Sequence, residues 1–94
     1  MNKYETIFVI SPEADEETIQ SLIQRTKDII EENGSIENVE EWGSRKLAYE
    51  VKGFREGYYV LMNFTAEKNV PAELDRVFKI TENIIRHIIV RDDK

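Results

Sequence analysis

Acid–base catalysis, nucleophilic attack and metal binding draw on a short set of side chains, and this 94-residue sequence supplies few of them. Its one histidine, His87, stands in the run Ile84-Ile85-Arg86-His87-Ile88-Ile89. That run has no serine or cysteine to activate and no second histidine at a ligand spacing. A half-buried strand residue is the expected role of His87. The 19 carboxylates are plentiful but dispersed. Glu13, Asp15, Glu16 and Glu17 crowd a helix entrance, where negative charge is favoured. Glu31, Glu32, Glu37, Glu40 and Glu41 have the spacing of solvated faces. No pair is set apart in apolar surroundings that would split two pKa values for general acid and base work. The absence of cysteine excludes disulfides, thiolate metal sites and thiol nucleophiles. The four glycines fit neither GxxxxGKS/T nor GxGxxG, so no phosphate cradle is encoded. The expectation is a protein that is not an enzyme, with no cofactor, no metal and no small-molecule substrate.

The elements that position side chains are easier to read. Lys3 to Ile10 is rich in β-branched and aromatic residues and is stopped by Ser11-Pro12, which predicts a strand. Asp15 is a suitable N-cap, and Ile19, Leu22, Ile23, Thr26, Ile29 and Ile30 line one helical face. Gly34 is expected to close that helix in a left-handed conformation. Ser35 to Val51 reads as a long strand with a bulge or bend at Gly43. The segment 52–57 is expected to turn, with Phe54 serving no evident purpose there, and Tyr58 to Phe64 returns as the third strand. Pro71 suits the first position of a second helix carrying Leu74, Val77 and Phe78. Ile84 to Arg91 is a fourth strand, followed by a short charged tail.

The order βαββαβ predicts an α+β domain over residues 1–94, a ferredoxin-like four-stranded antiparallel sheet with both helices on one face. The other face is then uncovered. Alternation assigns Phe8, Ile10, Val60, Met62 and Phe64 to the core and Ile7, Val9, Tyr59 and Leu61 to the open side. An apolar open face suggests a protein contact, although central strands also tolerate apolar residues on both faces. An RNA-recognition motif shares this element order but needs two aromatics on one strand face, separated by a small residue. In Glu56-Gly57-Tyr58-Tyr59-Val60 the aromatics are adjacent and point to opposite faces, and the leading residue is acidic. That family is excluded.

The formal charge of -6 disfavours gripping nucleic acid by bulk electrostatics. Basic residues nevertheless persist at the chain ends and around Arg45 and Lys46. No apolar run approaches the ~20 residues of a membrane span, and no signal-peptide core follows Lys3, so the expectation is a cytoplasmic protein with no membrane contact.

The segment Glu41-Trp42-Gly43-Ser44-Arg45-Lys46-Leu47-Ala48-Tyr49-Glu50-Val51 closely resembles the signature of bacterial small-subunit ribosomal protein number six. Tyr4-Glu5, Gly57-Tyr58-Tyr59-Val60 and Ile84-Ile85-Arg86 extend the resemblance over nearly the whole chain. Val51 stands where that family more often has isoleucine. The resemblance implies a structural constituent of the small ribosomal subunit. It would bind central-domain ribosomal RNA together with the small basic ribosomal protein number eighteen. Carried onto matching positions, it makes Lys3, Tyr4, Arg86 and Arg91 the expected RNA-proximal residues, with Arg45 and Lys46 as further candidates. Ile7, Val9, Tyr59 and Leu61 become the expected partner-protein patch. The competing expectation is a regulatory or small-molecule-binding domain on the same fold, since fold alone does not decide function.

Overall fold

In a computed structural model, described over residues 1–92, the elements follow the order β1 (Asn2–Ile10), α1 (Glu16–Glu32), β2 (Gly34–Val51), β3 (Phe54–Ala66), α2 (Asn69–Ile80) and β4 (Ile84–Arg91). The strands form one antiparallel sheet in the order β2-β3-β1-β4, the ferredoxin-like arrangement expected from the sequence. The expected charged tail lies, from Asp93 onward, outside the described residues.

Helix α1 begins as its sequence dictates. The Asp15 carboxylate accepts the Thr18 backbone N–H at 2.8 Å, satisfying one of the free donors of the first turn, and Glu16 and Glu17 complement the helix dipole. Ile19, Ile23, Thr26 and Ile30 face the sheet and meet Val70, Leu74 and Phe78 of α2 over Phe8, Ile10, Val60, Met62 and Phe64. All five sheet residues assigned to the core are fully buried. Each such side chain contributes about 1.5–3 kcal/mol on burial. Thr6 is buried among them, and its hydroxyl donates to the Ile88 carbonyl at 2.8 Å, which removes the cost of an unpaired polar group.

Four local expectations are corrected. Gly34 is not a left-handed helix stop, since positive φ among glycines occurs only at Gly43 and Gly53. It is the first residue of β2, where the strand passes so close to β3 that a Cβ would collide with the Thr65 carbonyl oxygen. Pro71 is the third residue of α2 rather than the first, still within the turn that has no N–H acceptor. The turn between β2 and β3 is only Lys52-Gly53, with φ of 53° and 86°, the left-handed pair of a tight hairpin closed by Val51 and Phe54. Strand β3 therefore starts at Phe54. The register of β2 shifts three times, between Ile36 and Asn38, Glu41 and Gly43, and Lys46 and Val51. Such shifts bend and twist a strand. Phe54 gains its purpose at the far end of this hairpin, where it packs with Val51 and Tyr59 against a second cluster of Val9, Leu47 and Ile85.

Candidate functional site

The sheet face turned away from the helices is zoned by charge. Two carboxylates at one end are held by neutral donors, Asn63 Nδ2 donating to Glu5 at 3.2 Å and Thr65 Oγ1 to Glu37 at 2.8 Å, and Glu40, opposite Leu61 on the β2 edge, accepts from Asn38 Nδ2 at 2.8 Å. The indole N–H of Trp42 also donates to Glu40 at 3.0 Å. The Trp42 and Asn38 donors hold the Glu40 carboxyl below its ordinary range, keeping it ionised. The middle is apolar. Ile7 pairs with Leu61 on one side and Ile88 on the other, and Ile88 and Val90 are 47% and 45% exposed. A hollow of about 200 Å³ opens there between Ile7, Val9, Tyr59, Arg86 and Ile88.

The opposite end is cationic. Between Gly43 and Gly57 the hairpin carries Arg45, Lys46, Lys52 and Arg55 against Glu50 and Glu56, and Arg86 of β4 stands beside Val9 at the same end. Both open-face arginines rest on aromatic rings of β2. The Arg45 guanidinium lies 5.8 Å from the centroid of Trp42, whose ring stacks on Tyr59, and its Nε donates to the Trp42 carbonyl at 3.4 Å. The Arg86 guanidinium lies 5.3 Å from the Tyr49 ring, and its Nη1 donates to the Tyr49 hydroxyl at 3.0 Å. Among the described residues, neither is in a salt bridge with a carboxylate.

The expected site residues are therefore only partly gathered. Arg45, Lys46 and Arg86 share the hairpin end. Lys3 is six residues along β1 from Val9, the partner of Arg86, hence about 20 Å away toward the acidic end. Arg91 pairs with Tyr4 on the helix-side register, and its Nη2 donates to Asn2 Oδ1 at 2.9 Å. Tyr4 is 8% exposed with its ring 5.5 Å from that of Phe64, so it belongs to the core rather than the open face. Of the partner patch, all four residues fall on the open side as expected, but Val9 and Leu61 are 2% and 7% exposed. The hairpin end folds over Val9, so the open face is partly covered from within the chain. Ile7, Tyr59, Ile88 and Val90 form its accessible apolar part. Trp42, Tyr49, Ile88 and Val90 are exposed on or beside this face and are not among the site residues expected from the sequence. The period-two set Arg86, Ile88, Val90 is the legible signal for the last two.

His87 sits on the other face. Its Nε2 is 2.8 Å from Asp75 Oδ1, and its ring lies 5.1 Å from that of Phe78, so it ties β4 to α2. Lys79 also pairs with Asp75 at 2.9 Å. The hydrogen bonds from His87 and Lys79 hold the Asp75 carboxyl below the usual carboxylate range.

Tyr58, also on the helix side, donates its hydroxyl to Glu41 at 2.8 Å, which pushes the phenol pKa up to about 12 from 10.0. A raised folded-state pKa favours the neutral phenol. This contribution to stability is complete below pH 10 and is lost as the pH rises through about 12. Ultraviolet titration should show the Tyr58 phenolate forming late, and Glu41→Gln should bring it back toward 10. An unchanged late phenolate in that variant would mean the Glu41 contact is not its cause.

The family described as Ribosomal protein S6 matches residues 3–91. The small ribosomal subunit protein bS6 of Clostridium perfringens is 57% identical over 95 residues, covering 100% of both chains. That of Clostridium kluyveri is 54% identical with the same coverage. Among solved structures, the crystal structure of 30S ribosomal protein S6 from Thermotoga maritima superposes with a TM-score of 0.91 at 40% identity, covering 97% of this chain and 87% of that one. A match over nearly the whole chain, together with a shared sheet topology, establishes that this chain belongs to the ribosomal protein S6 family of the small ribosomal subunit.

Proposed function

We propose that this protein is a structural constituent of the small ribosomal subunit that binds central-domain ribosomal RNA jointly with the basic ribosomal protein number eighteen, and that it catalyses nothing. Membership of the ribosomal protein S6 family of the small subunit supports reading it as an RNA-binding translation protein of the cytoplasm. The RNA segment and the partner are what the family resemblance implies, and the joint mode of binding is supported by the observation that the open face is divided by charge. A net charge of -6 opposes RNA binding by the isolated chain, yet the hairpin end concentrates cations while Glu5 and Glu37 stand at the other end and Glu40 on the β2 edge between them. A basic partner seated on the acidic and apolar zones would neutralise the repulsive end and leave the cations for phosphate. Ile7 and Tyr59, with Val9 and Leu61 beneath, are the proposed floor of the partner contact. Arg45, Lys46 and Arg86 are the proposed phosphate contacts, and Lys3 and Arg91 are outlying candidates at the far end of β1 and β4. Tyr4 serves these only through the core it stabilises.

Gel-shift titration of a central-domain transcript tests this directly. At physiological salt the chain alone should bind weakly, and adding the basic partner should tighten binding by at least about tenfold, the effect of roughly 1.4 kcal/mol of coupling. Equal affinity with and without the partner would refute joint binding.

A further inference from the structure

We infer that Trp42 and Tyr49 are positioning residues that hold Arg45 and Arg86 as a two-point clamp for the phosphodiester backbone of RNA at the hairpin end. The inference rests on the RNA-binding reading above and adds to it which cations act, and how they are held.

An arginine on a surface ordinarily samples many rotamers, and ordering it on binding costs affinity. Here that cost is met before RNA arrives. Trp42 stacks on Tyr59 and has the Arg45 guanidinium over its ring, with its indole N–H tied to Glu40. Two contacts thus fix the ring against which Arg45 lies. Arg45 spends its Nε on the Trp42 carbonyl, leaving the two terminal nitrogens as a fork. Arg86 spends Nη1 on the Tyr49 hydroxyl and lies against the same ring, leaving Nη2 and Nε. The fork geometry of a guanidinium suits phosphate oxygens, and its charge is unspent because no carboxylate pairs with either arginine among the described residues.

Backbone shape supplies the bracing. Gly43, at φ 80°, closes the register shift in which Trp42 is the unpaired residue, and the shift between Lys46 and Val51 carries Tyr49 out of the ladder toward β4. One irregular strand therefore reaches both arginines. Their attachment points are separated by the width of β3 and β1, about 14 Å across three strand spacings, which spans two or more phosphates of an extended strand. Lys46 and Lys52 lie on the same hairpin, while Arg55 there is paired with Glu50 at 3.7 Å.

The test uses the full chain with its basic partner and a central-domain transcript, with affinity measured over a range of salt. Arg45→Gln and Arg86→Gln should each weaken binding by about tenfold and lower the salt slope by about one. Trp42→Ala and Tyr49→Ala, which remove no charge, should each weaken binding by about threefold to fivefold. Trp42→Phe should restore most of that loss. Arg45→Gln placed on Trp42→Ala should cost less than it does alone, because the brace and the cation act as one unit. A merely structural role would shift the thermal midpoint but leave this non-additivity absent. Additive losses, or wild-type affinity in Trp42→Ala and Tyr49→Ala, would overturn the clamp while partner-dependent binding by the wild type still stood. If the wild type with its partner failed to bind RNA, the broader reading would fall and the clamp with it.

Discussion

Phe8→Ala is expected to destabilise the fold by about 3–5 kcal/mol, a large share of the roughly 5–15 kcal/mol that holds a domain of this size together. Phe8 is fully buried in β1, the strand flanked by β3 and β4, and its ring lies 5.0 Å from that of Phe78 of α2. It pairs with Val60 on one side and His87 on the other, so truncation opens a cavity where helix and both strand pairs converge. The sheet cannot close over it without parting the ladder. Urea denaturation should show the midpoint falling by about 2 M with little change in slope. A loss below about 1 kcal/mol would mean the site collapses freely, against the packing described. Ile88→Ala, at an exposed position of the open face, should leave stability within about 0.5 kcal/mol. That contrast separates assembly defects caused by unfolding from those caused by a damaged interface.

The elements legible in the sequence are those with one wet and one dry face. Helix α1 and β4 follow their apolar patterns almost to the residue, and Asp15 caps where its type and position require. The β2–β3 hairpin end is harder to read for a physical reason. Beyond the width of the sheet, Arg55 and Glu56 are exposed whatever their parity, so alternation vanishes and a strand resembles a loop. Phe54 is the surviving signal, an apolar residue that a six-residue turn cannot explain. The site divides in the same way. Arg45, Lys46 and Arg86 can be named by type, but their grouping depends on three register shifts in β2 that sequence pattern does not encode. Tyr4 shows the cost of reasoning from position alone. It is adjacent to Lys3, yet one residue of offset in a strand is a change of face, and its ring is spent on Phe64.

Gly34→Ala separates two reasons for a glycine after a helix and is expected to cost about 1–3 kcal/mol or more. A glycine that ends a helix with positive φ can be exchanged for asparagine at little cost, because the requirement is conformational. Gly34 has no such φ, and its requirement is space. A Cβ there would lie 2.7 Å from the Ala66 Cβ and 2.8 Å from its Cα, and nearer still to the Thr65 carbonyl oxygen. Two of those three atoms are backbone, so relief requires β2 and β3 to separate rather than a side chain to turn. The approach is held from both sides. Asn33 caps α1, and its carbonyl accepts the Glu67 N–H at 3.1 Å, which clips the helix end to the end of β3 one residue before Gly34 pairs with Ala66. Asparagine at position 34 should therefore be at least as damaging as alanine. Gly53 should behave in the opposite way. At φ 86°, and with open space for 4 Å around the place a Cβ would take, it should tolerate asparagine well and lose about 1–2 kcal/mol to alanine. Thermal and urea unfolding of the four variants would decide the matter. Equal tolerance of alanine at both positions would remove the close approach as an explanation. Because Gly34 sets where β2 begins, strain there propagates along the strand that carries Trp42, Arg45 and Tyr49. The variant should thus weaken RNA binding in proportion to its lost stability, whereas Trp42→Ala should weaken it without such a loss.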